Sequence, residues 1–190
     1  GAGHGLALME GVMGYYDGSG TGTEASSYDI ARVTGTPVIL VVSAAGAFLS
    51  LAAAINGFRD FRKDSRIAGV ILNDCSKPLF DTMKGMLERE TGLLVLGFLP
   101  RLMECAIESR HLGLVTAAEI RNLHKKIRRL GEEAENCVDL DALLAVAASA
   151  PPLSGGLPGV ELKIKTQPRI AVARDEAFCF YYADNLDLLE

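Results

Sequence analysis

Three runs of consecutive apolar residues, separated by segments of helical periodicity, constrain the fold of this chain more than any other feature. The runs lie at residues 37–42, 67–72 and 93–99. Strands that are apolar throughout, rather than at every second residue, are typical of parallel sheets with both faces covered. The alternation of strands and helices therefore predicts an α/β fold, a doubly wound and mostly parallel sheet with flanking helices.

Apolar side chains recur at helical spacing after the first and second runs. The first predicted helix has a stripe formed by Phe48, Leu51, Ala52, Ile55 and Phe58, and the second has one formed by Leu79, Met83, Met86 and Leu87. Gly92 fits as the C-terminal cap of the second helix. A third buried stripe, formed by Ile120, Leu123, Ile127 and Leu130, follows a capping box at residues 116–119. A further helix is predicted at residues 138–148.

A shorter apolar run at residues 6–9 ends in Glu10, and a glycine-rich turn then carries Asp17. We interpret the run as a strand that delivers Glu10 to its carboxyl end, where open α/β sheets bind their ligands. Two carboxylates there suit Mg²⁺, which is usually held by one or two carboxylates plus substrate phosphates. The alternative is a glycine-rich turn with incidental acids, and spacing alone does not decide between the two.

Composition excludes several classes of protein. Of the 190 residues 49% are hydrophobic and 23% charged, as in ordinary globular proteins, and the net charge of −5 argues against a nucleic-acid partner. No apolar run reaches the roughly 18 residues that a membrane span needs. The four cysteines form no CxxC pair and the three histidines no metal motif, so we expect reduced thiols and a cytoplasmic location.

The composition changes near residue 150, where prolines and glycines give the texture of a linker. We predict a first domain at residues 1–150, a linker at 151–168, and a third segment at 169–190 with one strand at 169–174 and one helix at 178–190. A single strand and helix cannot bury a core, so we expect the chain to be a piece of a longer polypeptide. Exposed sheet edges in such a piece favour self-association into a homo-oligomer.

Six segments of the chain carry a specific resemblance. They are EGVMGYYDG at residues 10–18, TPVILVVSA at 36–44, GVILN at 69–73, GFLP at 97–100, SRHLGL at 109–114 and IAVARDEAFCFYY at 170–182. In this order the chain resembles the cobyrinic acid a,c-diamide synthase family, the glutamine-dependent amidotransferases of cobalamin synthesis. The resemblance covers nearly the whole chain.

The resemblance implies a two-part enzyme with ATP and Mg²⁺ as cofactors. Residues 1–150 would be the C-terminal portion of a P-loop, ATP-dependent synthetase domain related to dethiobiotin synthetase, and a class I glutamine amidotransferase domain would begin within residues 169–190. In this family ATP activates the a and c carboxylates of the corrinoid cobyrinic acid as acyl phosphates. Ammonia derived from glutamine then displaces the phosphate.

The resemblance also implies roles for individual residues. Glu10 would ligate magnesium, and Asp17 would lie in the active-site loop, near the metal or near the corrin. Asn73 would read adenine, with Gly97, Leu99 and Pro100 bordering the ring. Tyr15 and Tyr16 would either face the flat corrin or pack inside the domain. Arg110 would pair with a substrate carboxylate or form an intramolecular ion pair.

Two family features are absent from the sequence. No GxxxxGK[ST] phosphate-binding loop precedes Glu10, and no Gly-x-Cys-x-Gly elbow is present, so Cys179 is expected to be a packed thiol. We therefore expect the chain alone to be inactive. A Ni-sirohydrochlorin or hydrogenobyrinic acid a,c-diamide synthase is the nearest alternative. A partition-type ATPase acting as a binding module is a more distant one, against which the acidic balance argues.

Overall fold

The computed structural model describes residues 5–11, 13–107, 120–153, 169–175, 177–179 and 181–189. The chain divides into two compact units, which we describe separately. The first comprises Gly1–Ile107 with Asn122–Leu153, and the second comprises Glu108–Arg121 with Ser154–Glu190.

The first unit is built on a three-stranded parallel sheet in the order β1-β2-β3. The strands are β1 at Val38–Ser43, β2 at Ile67–Asn73 and β3 at Leu94–Leu99. Each begins and ends within one residue of the apolar run that predicted it. The predicted α/β fold with a parallel sheet and flanking helices is confirmed.

Five helices belong to the first unit and one to the second, among the described residues. They are α1 at Ser27–Thr34, α2 at Leu49–Asp60, α3 at Lys77–Thr91, α4 at Leu123–Cys137, α5 at Leu140–Ala148 and α6 at Ala183–Asp187. A short 3₁₀ turn at Met103–Cys105 follows β3. The helix predicted at residues 138–148 is confirmed as α5, which Asp139 caps by accepting a 2.9 Å hydrogen bond from the Ala142 N–H.

Helices α2 and α3 pack together and cover the sheet. The fully buried side chains of Ile55 from α2 and of Met83 and Leu87 from α3 meet Val70 and Leu72 of β2 in one core. Burying an aliphatic side chain of this size contributes about 1.5–3 kcal/mol, so these residues hold the helices in place. The predicted stripes are confirmed in their centres.

The ends of the predicted helices differ from their buried centres. Phe48 and Phe58, at the two ends of the α2 stripe, are 56% and 39% exposed. Gly92 ends α3 with φ 66°, and its N–H donates to the Glu88 carbonyl at 2.8 Å. A left-handed glycine at this position is the predicted cap.

The junction between α4 and α5 covers the outer edge of β3. Val138 forms an antiparallel bridge with Gly97, and the Asp139 N–H donates to the Leu96 carbonyl at 2.7 Å. Gly97 has φ 155°, and a Cβ placed on it would lie 2.3 Å from the Cys137 carbonyl oxygen. Only glycine allows the two backbones to come this close.

The predicted apolar stripe of α4 is wrong. Ile127 and Leu130 are 55% and 40% exposed, and among the described residues α4 buries no side chain completely. The helix packs mainly against the edge of β3 and the 3₁₀ turn, where polar contacts hold it. Lys126 donates to the Ala106 carbonyl, and Arg129 lies 3.6 Å from Glu104 of the 3₁₀ turn while it also pairs with Glu133 of α4 itself at 2.6 Å. The predicted capping box lies outside the described residues.

The predicted strand at residues 6–9 is also wrong, since none of residues 5–11 adopts strand structure. Leu6, Leu8 and Met9 are 49%, 88% and 58% exposed. A strand is held by the ladder that it shares with a neighbour. In the described part of the chain, neither sheet edge pairs with this run, because β3 is bridged by Val138 and β1 pairs only with β2.

In the second unit, residues 169–174 were predicted to form a strand, and the structure shows none there. The described residues of this unit offer no neighbouring strand with which a ladder could form. α6 lies inside the helix predicted at residues 178–190, and the Tyr181 hydroxyl donates to the Ala173 carbonyl at 2.7 Å. The assignment of domains stays a prediction. Among the helices described, none has the length and apolar character to cross a bilayer.

Candidate functional site

The carboxyl edge of the sheet gathers polar and apolar groups from three strands. Asn73 ends β2 opposite Ser43 of β1 and Leu99 of β3. Its carbonyl accepts a 2.9 Å hydrogen bond from the Ala44 N–H, while its side chain is exposed. The backbone is therefore fixed and the amide is available to a ligand.

Three of the predicted nucleotide-binding residues meet at this edge. Leu99 and the following Pro100 are half-buried beside Asn73, and the Leu99 carbonyl accepts a 3.1 Å hydrogen bond from the Cys75 N–H. An amide flanked by an apolar rim suits the polar edge and flat face of a heteroaromatic ring. Whether these residues bind adenine stays a prediction.

Two further polar residues lie at the carboxyl edge of the sheet and were not among the site residues predicted from the sequence. Asp74 follows Asn73 with φ 50°, an uncommon conformation for a residue other than glycine, and its carboxylate is exposed. The Ser43 hydroxyl accepts a 3.3 Å hydrogen bond from the Ala45 N–H. Their position one residue after, or at, the end of a predicted parallel strand is the signal that would have found them.

Gly97 does not lie at this edge. It is paired with Ile71 inside β3, and the backbone of Cys137 and Val138 occupies the space that a side chain would fill. This position gives Gly97 a packing role and separates it from Leu99 and Pro100, with which the sequence had grouped it.

Tyr15 and Tyr16 serve as packing residues in the structure. Tyr15 is 9% exposed and its hydroxyl donates to the Ser65 carbonyl, while the Tyr16 hydroxyl donates to the Phe58 carbonyl at 2.5 Å. The Tyr16 ring stacks on Phe58 and meets Phe61 edge-on at 5.0 Å. Burial raises the pKa of both phenols, so they act as neutral donors. Of the two interpretations left open by the sequence, packing fits these contacts.

Tyr28, which no sequence motif singles out, completes the same aromatic cluster. Its N–H donates to the Tyr15 carbonyl at 3.0 Å, and its hydroxyl donates to Asp64 Oδ1 at 2.7 Å. This hydrogen bond raises the pKa of Tyr28 and lowers that of Asp64. The loop that carries Asp17 is thereby tied to the connection between α2 and β2.

These tyrosine anchors lie at the amino edge of the sheet. Ser65 stands two residues before the start of β2, and Asn73 ends that strand roughly 20 Å farther along. The hydroxyls of Tyr15 and Tyr16 therefore do not join Asn73 at the carboxyl edge, where the sequence had placed the whole loop. The reason is that phenol-to-carbonyl hydrogen bonds hold the loop, and no strand does.

The two predicted metal ligands lie on exposed, irregular backbone. The Asp17 N–H donates to the Gly14 carbonyl at 2.9 Å, and the carboxylates of Asp17 and Glu10 are exposed. In the described part of the chain, no group of three or more His, Cys, Asp or Glu side chains is placed to hold a metal ion. Exposed carboxylate oxygens fit Mg²⁺ as one or two ligands that phosphates and water complete.

The residues present fit only part of an ATP molecule. Asn73, Leu99 and Pro100 fit its base, whereas the sequence contains no GxxxxGK[ST] loop for its phosphates. Arg110, predicted to pair with a substrate carboxylate, lies outside the described residues.

Comparison with known proteins identifies what this chain is similar to. Residues 3–109 match the AAA domain family. The chain is 42% identical over 186 residues to a cobyrinate a,c-diamide synthase of Listeria monocytogenes serotype 4b (strain F2365), with 97% of this chain and 41% of that protein covered. It is 41% identical over 194 residues to the cobyrinate a,c-diamide synthase of Limosilactobacillus reuteri (strain DSM 20016), with 97% and 40% covered.

The chain thus spans about two-fifths of the length of the curated relatives it matches. A third relative, the cobyrinate a,c-diamide synthase of Dehalococcoides mccartyi (strain ATCC BAA-2266 / KCTC 15142 / 195), is 41% identical over 189 residues, with 97% and 41% covered. No solved structure matches the chain significantly. The resemblance inferred from the six sequence segments is confirmed.

Proposed function

This chain belongs to the AAA domain family, and from that premise we propose that it forms part of an ATP- and glutamine-dependent ligase that amidates a corrinoid. The substrate is cobyrinic acid, whose a and c carboxylates become amides. The proposal includes ATP and Mg²⁺ as cofactors and glutamine as the source of ammonia. The observation that carries it is the similarity to cobyrinate a,c-diamide synthases over 97% of this chain.

The carboxyl edge of the sheet supports the nucleotide part of this proposal. The exposed Asn73 amide would donate to and accept from the edge of adenine, and half-buried Leu99 and Pro100 would exclude water from one face of the ring. From the family resemblance the proposal keeps Glu10 and Asp17 as Mg²⁺ ligands beside the phosphates, and it requires the Asp17 loop, which Tyr15 and Tyr16 anchor at the amino edge, to approach the carboxyl edge. When bound, ATP and Mg²⁺ supply the phosphoryl group that activates a carboxylate for attack by ammonia.

A chimeric enzyme tests the proposal. The segment of the Listeria monocytogenes relative that matches this chain would be replaced by this chain, and amide formation on cobyrinic acid would be followed by mass spectrometry. We expect a diamide product that requires ATP and glutamine, and none from the chain alone. A folded chimera that hydrolyses ATP without amidating the corrinoid would contradict the proposal.

Asn73→Ala in this chimera separates nucleotide recognition from chemistry. We expect KM for ATP to rise about 10-fold with little change in kcat, because one hydrogen-bonding group to the base is lost. Asn136→Ala removes an exposed asparagine of α4 and serves as the matched control. A lower kcat at unchanged KM for ATP would show that Asn73 does not read the base.

The tetrapyrrole supplied in the assay distinguishes the related alternatives. Turnover of Ni-sirohydrochlorin or hydrogenobyrinic acid in preference to cobyrinic acid would reassign the substrate. The proposal also places the parent enzyme in the cytoplasm, without a membrane or nucleic-acid partner, and the predicted homo-oligomer remains part of it.

A further inference from the structure

A cleft at the amino edge of the sheet is not used by the proposed function. It has a volume of about 740 Å³ and is formed by the end of α2, the connection that follows and the first residue of β2, at residues 59–67. The cleft is shallow and largely open to solvent, so a small molecule bound there would be covered on one side only. Its charged lining comes from Arg59, Asp60, Lys63, Asp64 and Arg66.

The acidic side chains of the cleft are engaged by neighbours. Asp60 pairs with Arg59 through two hydrogen bonds of 2.7 and 2.8 Å. Asp64 accepts a 2.7 Å hydrogen bond from the Tyr28 hydroxyl. Within the described ranges, Lys63 and Arg66 have no carboxylate within salt-bridge distance. Arg66 lies near enough to Asp64 to help lower the pKa of that carboxyl, and the lining as a whole carries three cations against two carboxylates.

The backbone that carries Arg66 is fixed from both sides. Ser65 is 5% exposed and its carbonyl accepts a hydrogen bond from the Tyr15 hydroxyl. The Arg66 carbonyl accepts a 2.9 Å hydrogen bond from the Val38 N–H of β1. Arg66 itself has φ 59°, a left-handed conformation that favours glycine. The Arg66 side chain therefore extends from a backbone that is hydrogen-bonded on both sides and that has a conformation unusual for arginine.

We propose that this cleft binds a small anion through Lys63 and Arg66, with phosphate or carboxylate groups as the recognised chemistry. The Arg66 fork pairs two oxygens of such a group, and the Lys63 ammonium adds a third contact. Because Lys63 and Arg66 are exposed, salt screens their attraction for an anion, and binding depends on ionic strength. The site is separate from the carboxyl edge to which we assign the nucleotide.

Calorimetric titration of this chain at low ionic strength tests the site with two probes, inorganic pyrophosphate and citrate. Saturable binding of pyrophosphate only identifies a phosphate ligand, and binding of citrate only identifies a carboxylate ligand. We expect Arg66→Gly and Lys63→Gln each to weaken the binding at least about 10-fold. No saturable binding of either probe would overturn the proposal.

Arg66→Gly is chosen because glycine accepts φ 59° without strain, so the side chain is lost while the fold is kept. Its melting temperature should equal or exceed that of the native chain. Lys125→Gln removes one positive charge from the exposed face of α4 and is the matched control. Equal weakening by Lys125→Gln would show a general charge effect and overturn the assignment to this cleft.

Discussion

The two outer strands of the parallel sheet, β1 and β3, are similarly apolar but have different surroundings along their outer sides. On the β3 side, Val138 bridges Gly97 and the Asp139 N–H reaches the Leu96 carbonyl. On the β1 side, no described strand pairs with the outer edge, and Val41 is 59% exposed. The amino-acid composition of β1 and β3 does not distinguish their surroundings, because both are apolar runs of the kind that predicts a buried strand.

What separates them is a single residue without a side chain. Gly97 lets the backbone between α4 and α5 approach closely enough to satisfy the polar groups of β3. β1 contains no glycine, so each of its six residues carries a side chain. An apolar run thus predicts a strand, whereas the covering of its edge depends on how near another backbone can come.

Gly97→Ala should have the largest effect on this comparison. The added Cβ would lie 2.3 Å from the Cys137 carbonyl oxygen and 2.6 Å from the Val138 Cα, both backbone atoms. We expect the free energy of unfolding in urea to fall by about 3 kcal/mol or more.

Gly85→Ala is the matched control for this substitution. Gly85 lies inside α3 with no atom within 4 Å of the added methyl group, so the chain should become more stable by about 0.5–1 kcal/mol. A loss below about 1 kcal/mol for Gly97→Ala would show that α4 and α5 do not close this edge.

Amide hydrogen exchange should show an intermediate contrast between the edges. Alternate N–H groups of a strand point to opposite sides, and the Val38 N–H donates towards β2, so those of Ile39 and Val41 point away from it. We expect these two amides to exchange at least about 100-fold faster than the bridging amide of Asp139.

Equal protection of all three amides would contradict an uncovered β1 edge. The dependence of this protection on protein concentration then identifies what covers the outer side of β1. Protection of Ile39 and Val41 that rises with protein concentration would identify a second copy of the chain, as the predicted homo-oligomer requires.

The smallest effect concerns the ion pair between Arg129 and Glu133 within α4, and it depends on pH. Arg129, and after it the Cys137 thiol, lower the pKa of Glu133 in the folded chain. A lowered pKa stabilises the fold above the unfolded value of about 4.3 and ceases to do so as the pH falls through the folded value. Glu133→Gln should therefore lower the urea midpoint at neutral pH, and this difference should shrink in acid. Glu132→Gln is the neighbouring control, and a difference independent of pH would contradict the ion pair.

Much of the fold follows from the sequence because the core obeys periodic patterns. The three strands and the buried centres of α2 and α3 were predictable, since continuous apolar runs and i, i+4 spacing have few other solutions. The strand at residues 6–9 and the stripe of α4 were not. In both cases an apolar pattern was present and the packing partner that it needed was absent from the described residues.

The candidate site was predictable where it depends on strand ends. Asn73, Leu99 and Pro100 meet at one edge because parallel strands begin and end together. The position of Tyr15 and Tyr16 was not, since hydrogen bonds to the distant carbonyls of Ser65 and Phe58 leave no mark in local sequence. Gly97 was misgrouped for a similar reason, because its neighbour lies some forty residues later in the chain.

The aromatic cluster has an optical consequence. The chain contains no tryptophan and five tyrosines, so its intrinsic fluorescence comes from the phenols. Tyr15 and Tyr16, on the loop between Glu10 and α1, lie together with Tyr28 at the start of α1, whereas Tyr181 and Tyr182 are 43% and 76% exposed in the second unit. Emission from Tyr15, Tyr16 and Tyr28 therefore reports the detachment of the loop that carries Tyr15 and Tyr16. Selective iodination of Tyr181 and Tyr182 would quench their emission and remove the background without any substitution.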